Sequence, residues 1–298
     1  MLFLVATAMQ AQITIGGNVY GGGNAGNTGG STKVTVYAGD LNEVYGGARQ
    51  ANVAGSAYVN IDGENMSDDI IINRVYGGND IAGTVGSSDH KPDSRLDEEG
   101  HQDPDYLKTF NTFVLTTKEK DKATESDPFH IFIGQLYGGS NGDYDYENEE
   151  DRPNIDKAFL DIHGGTIANA FGGGNNATIN QATVICINND SEVTTDADLG
   201  GKLTTERMKL MGLNTVQTYV GSSAYQFARV FGGNNKATMA IRPTWHLEKG
   251  KIRDLYSGGN QGSMTYYDVS TGHGGIMLNI DSDDMEVNNV YGGCKPWS

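Results

Sequence analysis

The sequence predicts an all-β chain wound as a right-handed parallel β-helix, a β-solenoid, with polar insertions and one short helix. The first observation is a motif of an aliphatic residue, an aromatic residue and a glycine pair, with Ser257-Gly258 in place of the pair in one copy, that recurs eight times in 298 residues. The second is its period, 25 to 61 residues, because internal repeats of such lengths are typical of stacked architectures. The third is that short runs of alternating polarity, without helical crossovers, separate the copies.

Each copy of the motif predicts a short strand that ends at a corner. The aromatic residues of the eight copies are Tyr20, Tyr45, Tyr76, Tyr137, Phe171, Phe231, Tyr256 and Tyr291. Glycine supplies positive φ at a corner and lets neighbouring coils approach closely. We therefore expect the aromatic rings to stack from coil to coil, about 4.8 Å apart, in one or two buried or half-buried columns.

The segments between the motifs are interpreted as half-buried strands. Alternating runs occur at 33–38 (KVTVYA), 57–62 (AYVNID), 158–163 (AFLDIH), 182–188 (ATVICIN), 237–242 (ATMAIR) and 275–280 (GIMLNI). Parallel strands need a crossover of about a dozen or more residues, and in a solenoid the rest of each coil provides it. The handedness rule for such connections predicts a right-handed coil.

Asparagines follow the glycine pairs, and we predict a structural role for them. They are Asn24, Asn79, Asn175, Asn234 and Asn260. Stacked asparagines can pair their amides along an axis, as they do in cross-β stacks, and asparagine tolerates left-handed turns.

The unequal motif steps predict insertions in a single solenoid domain spanning 13–298. We place them at 83–128, 141–157 and 188–220, the first with a strand in TFNTFVLTT (109–117) and the third with a capped helix in TTERMKLMG. Because their composition is polar, we expect the two long insertions to be dispensable for folding and to carry recognition. The last motif lacks a polar cap, so we expect the domain to be cut at its C-terminus.

The first twelve residues, MLFLVATAMQAQ, look like the end of a truncated secretory signal peptide. Their apolar run is too short to span a bilayer, and Ala11 suits the last position before cleavage. This segment predicts a secreted or cell-surface protein. The alternative is the first β-strand of a cytosolic protein.

The net charge of −17 is concentrated at 89–105 and 143–156, which together carry −11. So acidic a chain is a poor nucleic-acid binder, because phosphate contacts need lysine and arginine. Within the second segment Asp143, Asp145 and Glu147 alternate, so they share one side of an extended chain and form a candidate calcium site. The alternative is a solvated acidic loop, since the EF-hand spacing is not met.

A polysaccharide-cleaving β-helix is the enzymatic alternative. Polygalacturonase-like hydrolases carry Asn-Thr-Asp, Asp-Asp and Gly-His-Gly elements in that order, but here the Gly-His-Gly at 272–274 precedes Asp283 and Asp284, and Asn-Thr-Asp is missing. Two carboxylates must share one face, whereas neighbours on a strand point to opposite faces. We expect no catalytic residues, and the spacing of Cys186 and Cys294 predicts neither a metal site nor a disulfide.

The repeats VYGGGN, VYGGND, AFGGGNNATI and VFGGNNKATM resemble those of glycine-rich, adhesin-like surface proteins of gut bacteria, over roughly 13–298. The resemblance implies a non-enzymatic secreted or cell-surface scaffold whose loops bind a surface protein or a glycan, without a cofactor. A polysaccharide-binding or -cleaving β-helix, with or without calcium, is the alternative.

Overall fold

The computed structural model of the chain describes residues 14–87, 110–119, 129–213, 225–268, 273–274, 278, 280 and 282–295. The strands are β1 (Thr14–Tyr20), β2 (Thr32–Val36), β3 (Gly39–Tyr45), β4 (Ala57–Ile61), β5 (Ile70–Tyr76), β6 (Thr112–Thr116), β7 (Ile131–Tyr137), β8 (Ile155–Ile162), β9 (Thr166–Phe171), β10 (Ile179–Asn188), β11 (Phe227–Phe231), β12 (Thr244–Tyr256), β13 (Tyr267–Asp268), β14 (His273–Gly274) and β15 (Met285–Tyr291). The helix α1 spans Thr205–Leu210, and a 3₁₀ turn spans Glu149–Asp151.

Two parallel sheets share one interior and confirm the predicted parallel β-helix. The motif sheet contains β1, β3, β5, β7, β9, β11, the second half of β12, and β15. The alternating sheet contains β2, β4, β6, β8, β10 and the first half of β12. The chain enters the two sheets in turn, so each coil adds one strand to both.

The core lies between the two sheets and is filled by aliphatic side chains from both. Leu41, Ile72 and Ile133 of the motif sheet pack in one cluster with Val59 and Leu160 of the alternating sheet. Equivalent positions of successive coils are apolar, so each coil buries its interior against the coils before and after it, as solenoid repeats do.

Four of the six alternating runs are strands of the alternating sheet, namely β2, β4, β8 and β10. The prediction of a strand at 237–242 is wrong, because the strand starts at Thr244 and Met239 makes only an isolated bridge to Met264. Pro243 directly precedes the strand and cannot donate a ladder hydrogen bond. The apolar residues of this run pack instead on a short third side of the coil. The run at 275–280 falls largely outside the described residues.

The motif glycines serve close approach and not left-handed backbone. A Cβ at Gly77 would lie 2.2 Å from the carbonyl oxygen of Gly138, and one at Gly46 would lie 2.4 Å from that of Gly77. Among the described residues, the glycines with positive φ all lie outside the motif pairs. The expectation of positive φ at these corners is therefore wrong, and steric room between stacked coils explains the glycines.

The predicted helix is confirmed as α1. Thr204 caps it by accepting a hydrogen bond from the backbone N–H of Arg207. At the other end Gly212 has φ +71°, and the N–H of Leu213 bonds the carbonyl of Met208 at 2.8 Å. These contacts form an N-cap at the start of the helix and a Schellman motif at its end.

The segment that carries α1 is attached firmly to the outer face of the motif sheet. Its buried residues Leu199, Leu203, Met208, Met211 and Leu213 pack in a cluster with Ile71, Phe132, Ala168 and Ala228 of the sheet. Lys202 also pairs with Asp69 at 3.3 Å. The expectation that this insertion is dispensable for folding overlooked these apolar residues, which cover side chains that would otherwise face water.

The first insertion contains the predicted strand, which is β6. Its pairing with β4 and β8 makes it a regular member of the alternating sheet. Residues 88–109 and 120–128 of that insertion, and the signal-like residues 1–12, lie outside the described residues. Cys186 is buried in β10, and both it and Cys294 are free thiols.

Candidate functional site

A single column of aromatic rings runs along the outside of the motif sheet and confirms the predicted stacking. Neighbouring rings lie 4.5 to 4.9 Å apart between centroids and are within 13° of parallel, in the order Tyr20, Tyr45, Tyr76, Tyr137, Phe171, Phe231, Tyr256 and Tyr291. The four rings singled out from the sequence, Tyr45, Tyr76, Phe171 and Phe231, are all buried. The middle of the column is therefore closed to solvent.

Polar side chains two residues before each aromatic form a second row, which we call the mixed ladder. Its members are Asn18, Glu43, Arg74, Gln135, Asn169, Arg229, Asp254 and Asn289, which pair in register from strand to strand. Glu43 accepts hydrogen bonds from Asn18 at 2.8 Å, from Arg74 at 3.1 Å and from the Tyr45 hydroxyl at 2.9 Å. Glu43 thus joins the Tyr45 hydroxyl of the column to the mixed ladder.

Side chains four residues after the aromatics form a third row, which we call the amide ladder. Asn260 donates to Asn235 at 2.7 Å, Asn235 to Asn175 at 2.8 Å, Asn175 to Asn141 at 2.9 Å, and Asn141 to the Asp80 carboxylate at 2.8 Å. A carboxylate only accepts hydrogen bonds, so Asp80 at one end orients every amide in the row. Such chains of hydrogen bonds polarise and strengthen one another.

The predicted amide ladder is therefore correct in kind, but only two of its five expected members, Asn175 and Asn260, take part in its amide-to-amide hydrogen bonds. Asn79 and Asn234 lie one residue earlier and bind backbone: they accept from the N–H groups of Ala48 and Gly174. Asn24 accepts from the Arg49 side chain at 3.2 Å. A shift of one residue changes the side to which a side chain points, and the glycine spacing alone did not show this shift.

Asp80 also ties the column to a surface loop. It is buried and accepts hydrogen bonds from the hydroxyls of Tyr20, at 2.8 Å, and Tyr144, at 2.9 Å. Burial raises the pKa of Tyr20 to about 12, and the hydrogen bond to Asp80 acts in the same direction. Burial also raises the pKa of Tyr144, again with a contribution from Asp80. All of these contacts need Asp80 as an acceptor.

Asp80→Asn is expected to lower the free energy of unfolding by about 1.5–3 kcal/mol, the usual value of hydrogen bonds to a charged group. An amide at this position would turn its NH₂ group toward one of the donors that now bind a carboxylate oxygen. Denaturant unfolding measures the change. Asp156→Asn is the matched control, because Asp156 is exposed and loses the same charge, with an expected effect within about 0.5 kcal/mol. Equal effects of the two variants would contradict the ordering role of Asp80.

A polar groove of about 240 Å³ lies between the mixed ladder and the amide ladder. We call it the amide groove, and the rings of Phe171 and Phe231 contribute to its lining. It is lined further by Arg74, Gln135, Asn169, Arg229 and Gly212 on one side and by Asn175, Asn235, Lys236, Asn260, Gln261 and Asp143 on the other. Its polar lining of amides and cations is suited to binding a polar ligand.

The groove opens where the column changes from tyrosine to phenylalanine. The Tyr137 hydroxyl donates to Gln135 of the mixed ladder and accepts from Asn235 of the amide ladder at 3.3 Å. It therefore connects Gln135 of its own strand with Asn235, which follows Phe231 two places further along the stack. Phe171 and Phe231 occupy the next two places in the stack and have no hydroxyl, so this bridge is missing beside them.

The calcium candidates from the sequence are not brought together around this groove. Asp143 lines it, but its carboxylate pairs with the ammonium group of Lys236 at 2.5 Å. Asp145 and Glu147 are exposed. Within the part of the chain that the structure describes, no group of three or more acidic, histidine or cysteine side chains is arranged to hold a metal ion. The calcium site stays a prediction.

The enzyme-like elements also lie apart from the groove. Asp283 and Asp284 are exposed in a turn before β15. His273-Gly274 forms β14, which pairs antiparallel with β13.

The mixed ladder was missed from the sequence, although aligning the eight motifs on their aromatic residue would have shown a polar residue two places earlier in every copy.

Comparison with protein-family models, with curated proteins and with solved structures finds no match for this chain. None of the helices formed by the described residues has the length and apolar character needed to cross a membrane.

Proposed function

We propose that the protein is a non-enzymatic, secreted or cell-surface repeat scaffold of adhesin-like type that binds a surface protein or a glycan. The observation that carries this proposal is the amide groove, which is polar and lies between the mixed ladder and the amide ladder. The hydrogen bonds of the amide ladder and the stacked rings of the column hold the lining residues in place. A scaffold preorganised in this way binds a ligand with little loss of side-chain freedom.

The chemistry of the groove favours binding over cleavage. Glycoside hydrolysis uses a pair of carboxylic acids on either side of the bond that breaks. Among the described residues that line the groove, the one carboxylate is Asp143, and it is engaged by Lys236. The amides and guanidinium groups that make up most of the lining are not suited to act as a general acid or a general base.

The enzymatic alternative draws support from a different place, on the alternating sheet. His163 lies with its Nε2 atom 2.9 Å from the carboxylate of Asp161, which is buried. His163 also lines a cavity of about 210 Å³ together with Glu64, Lys118 and Asp190. A histidine beside a buried carboxylate is a common proton-transferring pair, so a polysaccharide-cleaving activity would be expected here.

One experiment separates the two candidates. The purified chain is applied to an array of glycans and host surface proteins, and the same material is assayed for turnover of pectins, alginates and glycosaminoglycans with and without calcium. We expect saturable binding and no turnover. Turnover that is lost in His163→Ala and kept in His130→Ala, a histidine outside that cavity, would replace the scaffold proposal by the enzymatic one.

A further inference from the structure

We propose that the amide groove binds a neutral sugar, whose hydroxyl groups take the places that tyrosine hydroxyls occupy elsewhere in the aromatic column. This inference rests on the proposed binding function and names its ligand class and its position. The position is the pair of successive coils that contain Phe171 and Phe231, the two phenylalanines in a column that otherwise consists of tyrosines.

Two of the tyrosine coils show what a hydroxyl can do at this level of the column. The Tyr45 hydroxyl donates to Glu43, and the Tyr137 hydroxyl donates to Gln135, in each case the mixed-ladder residue of the same strand. By the same register, a hydroxyl on Phe171 would reach Asn169, and one on Phe231 would reach Arg229. At Phe171 the chain therefore supplies no hydroxyl to Asn169, the mixed-ladder residue of the same strand.

Asn169 has an unpaired side-chain oxygen in the coil where the tyrosine hydroxyl is missing. Its side chain lines the groove, the residue is only 5 % exposed, and its Oδ1 atom has no hydrogen-bond partner. Leaving a buried acceptor unpaired costs stability, about 1–3 kcal/mol in general. A ligand hydroxyl that donates to this oxygen would remove that cost on binding.

The charges around the groove favour a neutral ligand over an acidic one. Arg74 is bonded to Glu43, and Lys236 is bonded to Asp143. Arg229 pairs in register with Asp254 of the next strand. Each cation of the groove thus lies beside a carboxylate, and the chain as a whole has a net charge of −17, which repels polyanions.

The size of the groove favours a short ligand. At about 240 Å³ it lies below the range of roughly 300–1,000 Å³ that is common for drug-sized ligands. The ring faces of Phe171 and Phe231 are covered by their neighbours in the stack, and both residues are buried, so the sugar would be held mainly by hydrogen bonds.

The test adds the missing hydroxyls. We expect the double variant Phe171→Tyr/Phe231→Tyr to keep its fold and its melting temperature, because the new hydroxyls complete the existing pattern. We expect it to lose binding by at least about tenfold, the effect of losing one or two hydrogen bonds. The matched control is Tyr76→Phe, which removes a hydroxyl from the same column where that hydroxyl has no partner and does not line the groove. It should bind like the parent chain.

The probes are neutral di- and trisaccharides of glucose, mannose and galactose, with galacturonic acid trimers as the acidic arm, measured by calorimetry up to millimolar concentration. Binding of a neutral sugar that falls in the double variant and in Asn169→Ala, but not in the control, supports the inference. Binding of none of the neutral sugars, binding of the acidic trimers alone, or equal binding by the double variant overturns it. A host protein bound equally by all variants would overturn this inference and leave the scaffold proposal standing, whereas sugar turnover would overturn the scaffold proposal.

Discussion

Replacing Tyr76 by alanine is expected to lower the free energy of unfolding by about 3–5 kcal/mol, as large aromatic-to-alanine changes in cores do. Tyr76 is fully buried, and its ring is stacked between those of Tyr45 and Tyr137 at 4.7 and 4.8 Å. Removing the ring therefore leaves a cavity and breaks two stacked contacts at once, each worth about 0.5–1.5 kcal/mol beyond the area it buries.

Tyr76→Phe is the matched control for that variant. The hydroxyl of Tyr76 is buried without a hydrogen-bond partner, so its removal should be neutral or slightly stabilising. Chemical denaturation of both variants gives the comparison. If phenylalanine destabilised the protein as much as alanine, the hydroxyl and not the stacked ring would be the stabilising part, and the aromatic column would lose the role assigned to it.

The protein is expected to unfold cooperatively as the pH rises from about 10 to about 12. Burial raises the pKa of Tyr20 and of Tyr146 to about 12, and it raises the pKa values of Tyr45, Tyr76 and Tyr137 as well. An unfolded tyrosine ionises near pH 10. The stability due to these neutral phenols is thus complete below pH 10 and is lost as the pH rises through the folded pKa values, because the unfolded state then binds fewer protons.

Tyrosinate absorbance and circular dichroism, followed together against pH, measure this transition. The two signals should change together, since the buried hydroxyls ionise only when the stack opens. Tyr76→Phe should move the midpoint upward, because it removes one of the phenols whose pKa burial raises. Tyr37→Phe should leave it unchanged, because Tyr37 is 48 % exposed and lies outside the column. Ionisation of all tyrosines near pH 10 with unchanged circular dichroism would contradict the expectation.

The sequence was sufficient to predict the repeat and its core. The spacing of the motif predicted coils, and the parallel register pairs Tyr45 with Tyr76 and Tyr76 with Tyr137, as the repeat requires. The helix at Thr205–Leu210 was predicted from its capping residues, because caps act within a few residues of sequence. Right-handedness of the coil and the location of the protein outside the cell stay predictions.

The candidate site could not be predicted in the same way. The amide groove combines Arg74, Asn169 and Asn235, which are brought together only by the stacking of separate coils. The sequence predicted a candidate calcium site in the acidic run that begins at Asp143. In the structure the carboxylate of Asp143 pairs with Lys236, which lies in another coil. Composition shows which charges a segment carries but not which distant side chain neutralises them.

What the sequence by itself determined is everything that repeats: the parallel coils, the stacked column and the glycines that let coils approach. These features depend on the same residue types returning at each turn, so they can be read along one chain. Only the tertiary structure shows which departures from the repeat form the candidate site. The change from tyrosine to phenylalanine at Phe171 and Phe231 can be related to ligand binding only because Asn169, which lines the groove, has an unpaired side-chain oxygen. A hydrogen bond requires two atoms within about 3 Å, and that proximity is set by the stacking of coils and not by position in the chain.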